Sequence, residues 1–432
     1  MSDSTPAPRT TSGLDRIAGL VDNAVRLLDG VAPVTPLQRN DRLSEMTGAE
    51  VWLKREDLQP VRSYKLRGAY TLMSRLDAGR RAAGVVAASA GNHAQGVAWS
   101  CSRLGVDGWI FVPTTTPRQK RDRIRALGGD RVHLVVAGET YDAAAGAARA
   151  EAEASGRSLI PAFDDELVIS GQGTVAAEIV SQLGRAPDVL LVPVGGGGLL
   201  AGCGAWMRAN APGVRLIGVE PAGAADVAAG LRAGHPVTLP VLDTFIDGAA
   251  VGRAGDVTLP LIRALGATMV AIPEGQVCSE MLAMYQSDGI IAEPAGALAP
   301  SALRQGLHDL TVRVGPGSTV VAIVSGGNND ISRYSEVLER SLVHEGRKHY
   351  FMVTFPQEPG ALRRFLDGVL GPDDDVVLFE YTKKSNRETG PALVGIELGD
   401  PDDLPALLER IAASPIKVER IAPDGPFYRY LV

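Results

Sequence analysis

Through residues 14–29 (LDRIAGLVDNAVRLLD) apolar side chains recur at helical spacing, which predicts an amphipathic opening helix stopped by Gly30. From there short apolar runs alternate with helical stretches. Residues 51–54 (VWLK) read as a strand, and a polar turn leads into a helical pattern from Lys65 to Leu76, so Lys65 falls at a helix N-terminus. The strand at 84–88 (GVVAA) runs straight into Ser89-Ala90-Gly91-Asn92-His93, followed by a helix over 94–104. A strand at 109–113, a helix around 117–127, a strand at 133–136 and an Ala-rich helix over 140–155 continue the alternation. Apolar strands in βαβα order predict a parallel sheet covered by helices.

A second α/β run follows. Strand 189–194 (VLLVPV) ends in Gly195-Gly196-Gly197-Gly198-Leu199, a helix reaches about Asn210, and strand 214–219 ends at Glu220. Helices near 222–233 and 256–266, a strand at 268–272, helices at 274–288 and about 294–306, and the strand Thr319 to Val324 complete the run. The last strand ends in Ser325-Gly326-Gly327-Asn328-Asn329. Three strand ends thus carry small polar or glycine loops, where open parallel sheets bind ligands. Residues 331–348 predict a linker helix. Beyond it the order becomes βαββαβ: strand 349–355, helix 360–369, strand 376–381, a polar turn, strand 392–398, helix 402–413 and strand 416–421. This order predicts a small ferredoxin-like sandwich. No convergent catalytic side chains are visible in it, so a regulatory or assembly module is expected over 349–432, a purely structural one being the alternative. The expected division is a tail at 1–13, a catalytic region of two parallel-sheet subdomains at 14–330 with the smaller inserted at about 65–165, the linker, and the C-terminal module.

Composition narrows the function classes. With 45% hydrophobic and 22% charged residues among 432, the chain has ample core for an ordinary soluble protein. A net charge of -7 gives no electrostatic reason to expect nucleic acid or an anionic membrane as partner. No apolar run approaches the ~18 residues of a membrane helix. Residues 1–13 are Ser/Thr/Pro-rich without an apolar core, which reads as a frayed tail rather than a signal peptide. Cys101, Cys203 and Cys278 are far apart and odd in number, fitting a reducing, cytoplasmic setting without a disulfide framework. The six histidines form no pair at ligand spacing, which argues against a zinc enzyme.

The candidate chemistry starts at Lys65, inside KREDLQPVRSYKLRGAY. A lysine amine is inert near neutral pH unless desolvated or condensed with a carbonyl, and most lysines are simply solvated. The Gly195–Leu199 loop can bring several backbone N–H groups onto one phosphate at a helix N-terminus. Four consecutive glycines cost conformational entropy that a mere turn does not require. A dinucleotide reading competes, because Gly196-x-Gly198-x-x-Ala201 fits G-x-G-x-x-G/A and Glu220 stands where a ribose ligand would, but nothing else suggests hydride transfer. Asn92 can donate to an anionic oxygen, and His93 reads as a packed loop histidine. Ser325 offers one neutral hydroxyl. Glu293, in EPAGA, either faces a bound ring or caps the helix after it.

In order along 14–330, the motifs KREDLQPVRSYKLRGAY, SAGNHAQGVA, VPVGGGGLLAG, EPAGA and SGGN together resemble the fold-type II pyridoxal phosphate (PLP) enzymes, most closely the biosynthetic threonine dehydratases. Residues 349–421, with PQEPGAL, resemble the ACT-like regulatory domain of that family in a single copy. The resemblance implies a Schiff base between Lys65 and PLP, a phosphate cradle at Gly195, Gly196, Gly197, Gly198 and Leu199, a contact from Asn92 to the cofactor's phenolic oxygen, and Ser325 facing its ring nitrogen. Ser89, Ala90, Gly91, Asn92 and His93 would receive the substrate carboxylate. A neutral serine at the ring nitrogen favours rapid loss of a β leaving group over a long-lived carbanion. The implied reaction is deamination of threonine to 2-oxobutanoate and ammonia, with isoleucine as inhibitor, valine as an opposing effector and a homotetramer as the assembly. Serine dehydration is the nearest alternative, and a non-catalytic amino-acid-binding regulator a more distant one.

Two departures matter. Serine racemases of the family carry a serine base at the position of Ala90, so racemisation is disfavoured. Tyr64 stands where Phe is commoner before the lysine. In some relatives a monovalent or divalent cation sits at positions matching Glu220, the Ala224 carbonyl and Asp226, for which solvated loop carboxylates are the alternative.

Overall fold

The computed structural model describes residues 13–305, 317–381, 388–423, 425, 427, 428 and 431. The expected tail therefore lies outside the described residues except for Gly13, as do most of the polar turn after Tyr381 and the last residue of the helix expected over 294–306. The chain forms two compact units. One takes residues up to Pro273 together with Met284–Asn329, and the other takes Glu274–Ala283 with Asp330 onward.

The first unit contains two sheets. The larger has six strands in the order 37–39, 50–55, 319–324, 189–193, 215–221 and 268–272, and only 37–39 runs antiparallel. The smaller has four parallel strands in the order 132–136, 108–112, 85–88 and 158–159. Central strands read as continuous apolar runs because both faces are covered: Val189–Pro193 and Thr319–Val324 are buried at every position. The opening helix, Gly13–Leu28, buries Ile17, Ala18, Val21, Ala24 and Leu28 on one stripe and joins this core.

The hydrophobic pattern predicts no element between 156 and 188, yet the longest helix described, Glu166–Leu183, lies there. Asp165 caps it by accepting from the Leu167 and Val168 amides. Most of its residues are buried, so the polar stripe that marks an amphipathic helix is missing. It crosses the helix Gly198–Asn210 at close range. A Cβ on Gly202 would lie 2.2 Å from the Ile169 carbonyl oxygen and 2.8 Å from the Gly173 nitrogen. The expected helices at 222–233 and 294–306 are shorter than the pattern suggests, Asp226–Ala233 and Pro294–Ser301, each with a single 3₁₀ turn beside it.

The second unit carries the expected βαββαβ order. Its four antiparallel strands lie in the order 375–381, 389–397, 348–356 and 417–421, with the helices Ala361–Val369 and Leu404–Ala413 over a core of Phe351, Phe355, Phe365, Val394, Ile396 and Leu407. The linker helix Tyr334–His344 belongs to this unit. It meets the segment Glu274–Ala283 through a hydrogen bond between the Ser279 and Ser341 hydroxyls at 2.9 Å.

Candidate active site

Strand Glu50–Arg55 ends in a turn whose charges are buried rather than solvated. Arg67 grips Glu56 through Nε and Nη2 (both 2.8 Å) and Glu178 through Nη1 (2.6 Å) and Nη2 (2.9 Å). Lys54 joins the cluster, donating to Glu178 at 2.6 Å, to Gln182 and to the Thr35 carbonyl. Burial alone would raise the Glu56 pKa, but the Arg67 guanidinium holds it below the usual range. This cluster ties the turn and the start of the Lys65–Ser74 helix to the helix Glu166–Leu183.

The residues before Lys65 are fastened to the loop after Val324. Tyr64 donates its amide to the Ser325 carbonyl, Gly327 donates to the Arg62 carbonyl at 2.9 Å, and Ser63 bridges Gly326. Arg62 takes a φ of 54°, the one positive value at a non-glycine among the described residues. Such a residue costs on the order of 1 kcal/mol or more and persists only where its surroundings hold it. On the other side, a Cβ on Gly96 would sit 3.0 Å from the Lys65 carbonyl, so the helix Asn92–Leu104 packs directly on the Lys65 backbone.

One cavity collects the strand-end loops. Tyr64, Lys65, Asn92, Pro193, Gly195, Gly248, Ala249, Glu293, Ala295 and Ser325 line it. Lys65 Nζ donates to the Ala162 carbonyl at 3.1 Å, and burial brings its pKa down to about 8 against the opposing pull of Glu293. The Ser325 hydroxyl donates to the Ala295 carbonyl at 3.0 Å. Asn92 is bonded to Glu293 and to Asn328. Glu293 is pushed up to about 7 by burial and by Asp247, with Asn92 working the other way. It stands at the N-cap position of the helix after it, but its side chain makes no capping hydrogen bond there.

Gly195 lines this cavity, and Gly196 to Leu199 run on from it into the helix Gly198–Asn210, with Gly197 at a φ of 91°. Gly196, Gly197, Gly198 and Leu199 are buried residues, and no acceptor for their N–H groups is seen among the described residues. Buried amides left open at a helix N-terminus suit a phosphate. The tight packing of Gly196 and Gly198 against Phe163 is a further reason for glycine there. An amine of lowered pKa, open amides and a neutral hydroxyl around one cavity fit PLP.

The other expected residues fall outside that lining. Ser89, Ala90 and Gly91 form the loop just before Asn92, with the Ser89 hydroxyl accepting from the Gly91 amide. His93 turns away: its ring nitrogen meets the Ile160 carbonyl at 2.8 Å, and burial and Lys65 bring its pKa down to about 4. Glu220 accepts from the Val227 and Ala228 amides and so caps the helix Asp226–Ala233. Asp226 is fully buried beside it, and burial lifts Glu220 to about 7 and Asp226 to about 8. No cluster of three or more His, Cys, Asp or Glu able to hold a metal occurs among the described residues. Among them no helix is long and apolar enough to cross a membrane. Ala162, Phe163, Gly248 and Ala249 were not foreseen. They come from irregular segments with no motif to announce them.

Comparison with known proteins gives the family. Residues 29–326 match the family described as pyridoxal-phosphate dependent enzyme, and residues 339–431 match the C-terminal regulatory domain of threonine dehydratase. The chain is 56% identical over 414 residues to the biosynthetic L-threonine dehydratase IlvA of Mycobacterium tuberculosis, covering 95% of each chain. It is 48% identical over 398 residues to that of Bacillus subtilis, covering 92% of this chain and 93% of the relative. Among solved structures, the processed form of threonine deaminase isoform 2 from Solanum lycopersicum superposes with a TM-score of 0.71 at 38% identity, covering 79% of this chain and 99% of that one. Maize serine racemase gives 0.69 at 28% identity, covering 76% and 98%. The region has three lysines before residue 348, and Lys54 is locked in the ion cluster while Lys120 pairs with Asp247, which leaves Lys65 facing the cavity. The chain belongs to the biosynthetic threonine dehydratases, fold-type II pyridoxal-phosphate-dependent enzymes with a C-terminal regulatory domain.

Proposed function

We propose that the protein deaminates L-threonine to 2-oxobutanoate and ammonia, the committed step of isoleucine biosynthesis. The observation that carries this reading is the Lys65 amine, its pKa brought down to about 8, opening on the cavity shared by Asn92, Gly195 and Ser325. PLP, when bound, supplies the electron sink that acidifies the α-proton of an amino acid. Lys65 would hold the cofactor through its amine and, as a neutral amine, would be the group placed to take that proton. The amides from Gly195 to Leu199 would hold the cofactor's phosphate, Asn92 would donate to its phenolic oxygen, and Ser325 would meet its ring nitrogen as a neutral hydroxyl. The Ser89–His93 loop receives the substrate carboxylate through its backbone, since the His93 ring is engaged elsewhere. Ala90 offers no second base, which makes proton removal one-sided and elimination the outcome.

Catalysis resides in residues 14–330. The module over 349–432 binds isoleucine as inhibitor and valine as its opponent, in a cytoplasmic homotetramer. A cation at Glu220, Asp226 and the Ala224 carbonyl rests on two adjacent buried carboxyl groups, of which Asp226 has no hydrogen-bond partner on either oxygen; with pKa values raised to about 7 and about 8, they would have to release a proton to take it. The test is 2-oxobutanoate release from threonine by the full-length protein across an isoleucine titration. Turnover that isoleucine suppresses is expected; turnover indifferent to isoleucine refutes the regulatory half, and absence of 2-oxobutanoate refutes the whole. Likeness to a serine racemase keeps serine in view as a substrate. A kcat/KM for serine above that for threonine would reassign the enzyme to serine dehydration.

A further inference from the structure

The Asn92 carboxamide is held from two sides. Its Nδ2 donates to Glu293 Oε1, and its Oδ1 accepts from Asn328 Nδ2 at 2.7 Å. The same Asn328 nitrogen donates to the Val61 backbone carbonyl at 2.8 Å. A carbonyl cannot donate, so Asn328 has to present nitrogen, not oxygen, to Val61. Both hydrogens of that nitrogen are then committed, one to Val61 and one to Asn92. Turning the Asn92 amide over would set two NH2 groups against each other. The polarity of the whole chain of amides therefore starts from a backbone group whose polarity is covalent, and it does not depend on the protonation of Glu293.

An amide nitrogen carries two N–H bonds, and Glu293 takes one of those on Asn92. The second is left for the cavity that Asn92 lines with Lys65, Gly195 and Ser325. Asn328 itself does not line that cavity, and it lies beyond the end of the matched PLP-enzyme region at residue 326. We propose that Asn328 is a positioning residue: locked on the Val61 carbonyl, it fixes the Asn92 amide so that a donor, never an acceptor, faces the phenolic oxygen of the cofactor. The proposal rests on the reading that PLP binds here with Asn92 as its partner.

The test is a double-mutant cycle on the full-length apoenzyme, with the PLP dissociation constant and the absorption band of bound PLP as readouts. Asn328→Asp is nearly isosteric, removes both donors and sets acceptors against Val61 and Asn92. It is expected to weaken PLP binding about 3- to 10-fold, the value of one hydrogen bond, and to shift the band. In an Asn92→Ala background the same substitution is expected to change the dissociation constant less than about 2-fold. Should Asn328→Asp fail to fold by circular dichroism, Asn328→Ala enters the same cycle. No loss of affinity, or an equal loss in both backgrounds, overturns the positioning role. If Asn92→Ala alone leaves both readouts unchanged, the cofactor contact of Asn92 is what has failed, and the positioning role falls with it.

Discussion

Replacing Arg67 with methionine removes the centre of the buried ion cluster while keeping most of the side-chain volume. The Arg67 side chain is 1% exposed and that of Glu56 0%, so Glu56 would be left charged in the interior with the Thr35 hydroxyl and the Gln59 amide as hydrogen-bond partners and Lys54 as the remaining nearby cation. Lys54 stays on Glu178, which is 15% exposed and can find water. Breaking a buried pair from one side typically costs about 3–5 kcal/mol, because an uncompensated charge remains. Five hydrogen bonds from the guanidinium disappear together, to Glu56, Glu178 and Thr174, but they share atoms and do not add independently. Arg67→Met should therefore destabilise the catalytic unit by about 3–5 kcal/mol, and Arg67→Lys, which keeps the charge without the fork, by less. Guanidinium unfolding followed by tryptophan fluorescence measures this selectively, because Trp52, Trp99, Trp109 and Trp206 all lie in the first unit. A loss below about 1 kcal/mol for Arg67→Met would refute the reasoning, since the cluster would then be no better than an apolar filling.

Glu56 gives that cluster a pH signature. Its folded pKa lies below the ordinary 4.5, so its contribution is complete above that value and fades as pH falls through the folded pKa. Glu56→Gln should be less stable at neutral pH and flatten the acid limb of a stability–pH curve; an unchanged acid limb would contradict the assignment. The rate at which apoenzyme takes up PLP should rise with pH through about 8, as Lys65 becomes neutral, and a midpoint in the ordinary lysine range near 10.5 would contradict the burial argument. Gly202→Ala forces a methyl group to within 2.2 Å of the Ile169 carbonyl, and denaturant titration should show a loss of about 1–3 kcal/mol.

Most of the architecture was legible because strands buried on both faces are short and apolar, and because the loops at Ser89, Gly195 and Ser325 punctuate them. The helix Glu166–Leu183 was not, since periodicity needs a polar face and this helix has almost none. Lys54 and Lys65 show the limit at the site. They stand eleven positions apart in one motif, yet one is fixed to Glu178 and the other faces a cavity, and only tertiary contacts separate them. Asn92 and His93 are neighbours that reach different surroundings, because the first turn of a helix sends successive side chains about 100° apart. The family resemblance picked out Lys65, Asn92, Gly195 and Ser325, and all four line one cavity. Asn328 closes the SGGN motif, but the motif does not show its part, which depends on a backbone carbonyl that no side-chain pattern reports.

The most direct measurement of the central claim is peptide mass spectrometry of the PLP-loaded protein after borohydride reduction, which converts a lysine–cofactor C=N bond into a stable secondary amine. Lys65 should carry the phosphopyridoxyl mass, and the Lys65→Ala variant should carry none and release no 2-oxobutanoate from threonine. Label on Lys54, on Lys120 or on a lysine of the C-terminal module, or turnover that survives Lys65→Ala, would contradict the account.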